Sequence, residues 1–151
     1  LGIRLGTNQS RREENNFRYY EFFLINRLPF DVEKNNFVDL NFNFESTVGL
    51  LDDGYKKSVL FSVGPMLYFG IDKNTFSLMG GVSPSLMTNH TFRNIEFGGT
   101  FNFISHIAVL FSPIENMKLG YRFEHISNAR IYESNPGINI HFIEIHFNKN
   151  L

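Results

Sequence analysis

The chain reads as an all-β protein, an eight-stranded antiparallel transmembrane β-barrel. Apolar and polar residues alternate with period two along most of its length, and helical spacing fits no segment better. The alternating runs number eight, the even count that outer-membrane barrels have. Compact linkers alternate with longer polar loops between the runs, as they do in a barrel with its termini on the periplasmic side.

The runs cover roughly 1–8, 17–28, 36–50, 56–70, 75–87, 95–112, 116–128 and 139–147. The first is shorter than its partners and already alternating at Leu1, so further residues are expected upstream of it. The third has the cleanest pattern. Val38, Leu40, Phe42, Phe44, Val48 and Leu50 share one face, and Asp39, Asn41, Asn43, Glu45 and Thr47 share the other. The second and fourth are less pure. In the sixth, Ile95, Phe97, Phe101, Phe103, Ile107, Val109 and Phe111 oppose Glu96, Thr100, Asn102 and His106. Compact linkers at Pro29–Asn35, Asp72–Asn74 and Pro113–Asn116 follow runs two, four and six, and longer polar loops follow one, five and seven. Most runs have the length of about ten residues or more that crosses a bilayer at a tilt. Gly80-Gly81 and Gly98-Gly99 fall inside runs and read as bulges or close interior packing.

Composition narrows the function. At 151 residues the chain is one domain, 1–151, and 42% hydrophobic residues against 19% charged exclude a disordered chain. A net charge of -1 offers nothing to nucleic acid. Without cysteine there is no disulfide framework or thiolate metal site. His141 and His146 fall on opposite faces of one strand, the wrong geometry for a shared metal, and no cofactor loop is present. No apolar run is long enough for a spanning helix, and no leader pattern precedes Leu1, so an exported protein would correspond to a mature or trimmed chain.

Alternation alone does not say which face points inward. A soluble lipid-binding barrel would bury its apolar face and expose the polar one. The membrane version is favoured because the polar face carries Asp39, Glu45, Arg122 and Glu124 among small residues, as a filled polar lumen would. The apolar face, with many of the 18 Phe, supplies aromatic girdles.

The seventh run carries the chemistry. Along 118–129, Leu119, Tyr121, Phe123, His125, Ser127 and Ala129 share the apolar face. A hydroxyl and an imidazole two positions apart lie about 7 Å apart at the backbone, a gap that tilting the ring can close. Serine needs such a base within hydrogen-bond reach to become a nucleophile. On a lipid-facing surface the pair suggests a hydrolase whose substrate is itself in the membrane. Asn128, Asn135 and the backbone N–H groups around Ala129 and Gly137 are candidate donors to an oxyanion. The plain alternatives are polar residues at a strand end for the pair, and a turn for Asn135-Pro-Gly137.

The stretch His125-Ile-Ser-Asn-Ala129, followed after a spacer by Asn135-Pro-Gly-Ile138, resembles the signature of the outer-membrane lipid A deacylases, the lipid A 3-O-deacylase or acyloxyacyl hydrolase family. The resemblance implies an eight-stranded barrel of the bacterial outer membrane and lipid A of lipopolysaccharide as substrate among outer-membrane lipids. It also implies Ser127 as nucleophile and His125 as base; no cofactor is expected from the residues themselves. The family often has a Glu in the last strand to orient the His, whereas this chain has Asn139 there. Asn accepts the Nδ1–H bond but does not balance imidazolium charge. Glu133 in the connecting loop is the alternative acid. Glu124 and Glu144 point to the interior and are expected to pair with Lys118 or Arg122. Arg11, Arg12 and Arg93 fall on outer loops, at the level of lipid A phosphates. The competing function is a non-enzymatic small barrel, adhesin or structural, whose loops carry the activity.

Overall fold

The computed structural model describes residues 1–8, 16–34, 37–72 and 75–147. Arg11 and Arg12 lie outside these residues. Every alternating run is a strand: β1 Gly2–Thr7, β2 Arg18–Lys34, β3 Val38–Asp52, β4 Lys57–Ile71, β5 Phe76–Met87, β6 Phe101–Ile114, β7 Met117–Ser127 and β8 Ile138–Phe147. Each pairs antiparallel with the next, and β1 pairs with β8, which closes the barrel and leaves no edge.

The polar face points inward and the apolar face outward. Arg4, Glu21, Glu45, Arg122, Glu124 and Glu144 are all buried, whereas Ile3, Leu5, Phe22, Leu24, Phe61 and Val109 are exposed. A soluble barrel would place these two sets the other way round. An apolar outer wall of this extent is stable only where lipid covers it.

An eight-stranded lumen is just wide enough to be filled by side chains. Its middle is an ionic belt. Arg4 Nε lies 2.7 Å from Glu21 and its Nη2 2.9 Å from Glu45. Arg122 reaches the other Glu45 oxygen at 2.6 Å and Glu124 at 2.8 Å. Glu144 answers Arg4 at 3.3 Å. Of the two partners expected for Glu124 and Glu144, it is Arg122 that meets them, at 2.8 and 3.7 Å, and not Lys118. The Lys118 ammonium instead donates to the Tyr68 hydroxyl at 2.6 Å, nearer the turn end of the barrel. Toward the loops the lumen is plugged by apolar side chains, among them Phe17, Tyr19, Phe92, Phe97, Ile126 and Phe142.

Three local expectations are revised. β2 runs on through Pro29 to Lys34, with register irregularities after Arg27, so most of the supposed linker is strand. β6 begins at Phe101 rather than at residue 95. Phe97 accordingly does not face lipid; it folds over the lumen mouth and is fully buried. Gly98-Gly99 likewise belongs to the β5–β6 loop. Gly98 has φ +78°, and a Cβ on Gly99 would stand 2.3 Å from the Tyr132 ring, so the pair lets this loop press against the β7–β8 loop. Period-two reading took an apolar loop segment for strand because both supply alternating apolar residues.

Candidate active site

β7 alternates without interruption from Met117 to Ser127, and this delivers its functional side chains. Arg122, Glu124 and Ile126 are buried in the lumen, while Tyr121 faces outward at mid-strand and His125 and Ser127 face outward at the loop end of the barrel. The β7–β8 register sets Asn139 directly across from His125, and the β6–β7 register sets Ser105 on its other side.

The His125 Nδ1 and Asn139 Oδ1 atoms are 2.7 Å apart. An amide oxygen only accepts, so Nδ1 carries the proton and Nε2 is left with its lone pair. That is the tautomer a general base requires. Gly137 makes room for the ring. Its φ is +59°, and a Cβ there would lie 2.9 Å from His125 Cε1 and 3.3 Å from Nε2. Glycine is therefore required twice, by conformation and by space.

Beyond Ser127 the chain turns sharply, with Ala129 and Arg130 both left-handed at φ +52° and +65°. Each such residue costs about 1–2 kcal/mol, and Asn128 supplies the compensating contacts. Its buried amide donates to the carbonyls of Phe97 at 2.6 Å and Ser134 at 2.5 Å, and its oxygen accepts from Arg130 N at 2.8 Å. Its own backbone N–H donates to Asn135 Oδ1 at 3.0 Å. Asn128 and Asn135 thus support the loop, and the hydrogens of the Asn128 amide are already engaged. Of the oxyanion candidates, the backbone N–H groups of Ala129 and Gly137 remain closest in sequence to the pair.

The carboxylates are elsewhere. Glu133 is exposed in the loop and makes no hydrogen bond or ion pair with His125. Glu124 and Glu144 are spent on the arginines of the lumen. Arg93 Cζ lies 4.2 Å from the centroid of the Tyr55 ring, on the loop cluster rather than beside the pair.

One feature of this surface escaped the sequence reading. Below the pair on the outer wall, on the far side of Phe123, the Tyr121 hydroxyl and His141 Nδ1 are 2.5 Å apart. His141 also packs edge-on against Phe123. Period two from His125 reaches Tyr121, but its meeting with His141 depends on the β7–β8 register.

The family model for lipid A 3-O-deacylase (PagL) matches residues 18–148. The lipid A deacylase PagL of Bordetella bronchiseptica is 32% identical over 65 residues, which cover 43% of this chain and 36% of that protein, so the aligned part is about a third of the relative's length. The crystal structure of the outer membrane enzyme PagL superposes with a TM-score of 0.82 over 99% of this chain and 100% of that one. At 13% identity that likeness speaks to the fold. With most of its length matched by the family model, and with the barrel of that crystal structure, the chain belongs to the lipid A 3-O-deacylase (PagL) family.

Proposed function

We propose that this barrel sits in the bacterial outer membrane and hydrolyses an ester-linked acyl chain of lipid A, with Ser127 as nucleophile, His125 as base and Asn139 orienting His125. The observation that carries the reading is the His125–Asn139 bond of 2.7 Å on the lipid-facing wall, two residues below Ser127 on the same face. A base fixed in the right tautomer on that wall meets its substrate without drawing it out of the membrane.

In this mechanism His125 Nε2 takes the Ser127 proton as Oγ attacks the ester carbonyl carbon. Backbone N–H groups at Ala129 and Gly137 receive the developing oxyanion. The tetrahedral intermediate collapses with cleavage of the ester C–O bond, and imidazolium returns its proton to the departing sugar oxygen. An acyl-Ser127 ester remains. Water, deprotonated by the same Nε2, attacks that ester and releases the carboxylic acid and free serine. Asn139 holds the ring but adds no charge opposite the imidazolium, so its contribution is orientation.

Mass spectrometry of lipid A incubated with the purified barrel in detergent tests this. The expected result is loss of one acyl chain with the parent protein and none with Ser127→Ala. An unchanged lipid A mass with folded parent protein, or full activity in Ser127→Ala, would sink the proposal.

A further inference from the structure

The outer wall beside the pair carries a second polar patch that hydrolysis does not use. It is a shallow trough across β7, β8, β1 and β2, with Tyr121 and Tyr20 in its walls and Thr7, Arg18 and His141 along it. Polar groups on a lipid-facing wall are expensive and mark binding sites more often than they serve stability. Here they supply donors. The Tyr121–His141 pair holds two hydrogens when the imidazole is neutral, one on the phenol and one on the ring. Their shared bond uses one, so either tautomer leaves one donor for a ligand. Arg18 is exposed and, among the described residues, makes no ion pair or hydrogen bond. The nearest carboxylate in register, Asp52, is held by Lys57 at 3.5 Å and by the Gly54 N–H at 2.7 Å.

The height of the patch decides what it would meet. Barrel strands tilt by about 35–45°, so a hydrogen-bonded row climbs as it crosses the wall. The row Phe123–His141–Thr7–Arg18–Asp52 starts below His125 and leaves the sheet at Lys57, the first residue of β4. Thr7 and Arg18 are the last residue of β1 and the first of β2. Arg18 therefore stands at the membrane rim, level with or above His125, while His141 lies slightly below it.

We infer that this trough binds a phosphate group of the glycolipid headgroup, with Arg18 supplying the charge and the Tyr121–His141 pair and the Tyr20 hydroxyl the further donors; the Thr7 hydroxyl already donates to the Phe17 carbonyl at 2.9 Å. The inference rests on the proposed hydrolysis, since it assigns the trough to the headgroup of the same substrate. A guanidinium beside neutral donors matches a phosphate's several acceptor oxygens, and charge-assisted bonds of this kind are strong. An acyl chain would gain nothing from these groups.

The test compares kcat/KM for phosphorylated lipid A with that for lipid A stripped of its phosphates, in mixed micelles. In Arg18→Gln the ratio of the two should fall about tenfold, through KM, as the loss of one charge-assisted contact implies. His141→Phe, which keeps the packing against Phe123, should lower the ratio in the same direction. Lys57→Gln, at a rim cation already paired with Asp52, should leave the ratio within about twofold, because surface pairs of this kind contribute little. A ratio unchanged in Arg18→Gln, or equal losses on both lipids, overturns the inference. If the parent cleaves neither lipid, the proposed hydrolysis has failed, and calorimetric titration of the two lipids into the barrel decides on the trough separately. Tighter binding of the phosphorylated lipid, lost in Arg18→Gln, upholds it; equal binding overturns it.

Discussion

Around the imidazole, single atoms decide the outcome. Asn139→Ala removes the acceptor that holds His125 Nδ1–H, so lipid A turnover should fall about tenfold, the kinetic equivalent of one ordinary hydrogen bond. The barrel should stay folded, because Asn139 faces outward and is exposed. Asn139→Glu should hold or raise the rate, since a carboxylate adds charge stabilisation of the imidazolium to the same bond. Should Asn139→Ala match the parent while Glu133→Gln is inactive, the loop carboxylate is the third member instead. Gly137→Ala makes a different kind of lesion. Its Cβ would enter the space of His125 Cε1 at 2.9 Å in a left-handed backbone. Strain of about 1–2 kcal/mol is expected, with a larger loss in kcat than in melting temperature.

Among the elements, the loops above the lumen act as one cap. Asn128 ties the β7–β8 loop to the β5–β6 loop through Phe97 and Ser134. Asn128→Ala leaves the buried Phe97 carbonyl unpaired, a loss of about 1–3 kcal/mol, and releases the half-buried Ser134 carbonyl as well. Hydrogen exchange should therefore accelerate in both loops together, and activity should drop because the turn after Ser127 loosens. The β3–β4 turn anchors the same cap from the far side. Partial burial pushes the Asp53 carboxyl upward, but the backbone N–H groups of Arg93, Lys56 and Tyr55 outweigh it and hold the group below its ordinary range. A depressed folded-state value means that the anchor is intact above the ordinary aspartate value. It is lost as pH falls through the lower one. Exchange protection at Arg93 should fall in that acid window, and Asp53→Asn should flatten the pH dependence.

For the molecule as a whole, the ionic belt joins β1, β2, β3, β7 and β8 across the lumen. Glu45 answers both Arg4 and Arg122, at 2.9 and 2.6 Å, whereas Glu124 and Glu144 reach the same two guanidinium groups with at least one longer contact each. Glu45→Gln takes one close counter-charge from two buried guanidinium groups at once. Breaking a buried pair in this way costs about 3–5 kcal/mol, which should lower the denaturation midpoint in detergent clearly. Acyl ester turnover in the protein that remains folded should be nearly unchanged, because the belt lies inside the wall and His125 outside it.

Period two along the chain was enough to determine eight strands, the two faces of each, and the placing of His125 and Ser127 together on the apolar one. These are local properties, set by the geometry of an extended backbone. Whether the apolar face turned outward, how the glutamates found Arg4, and which side chains met across neighbouring strands were decided by closure and register. Phe97 shows the limit most plainly, since its neighbours in sequence resemble those of a strand residue, yet the glycines after it turn it over the lumen. Asn139 shows the other side. Its face was legible from β8, but its bond to His125 exists because β7 and β8 pair in one register, and a slip by one residue would turn it into the lumen.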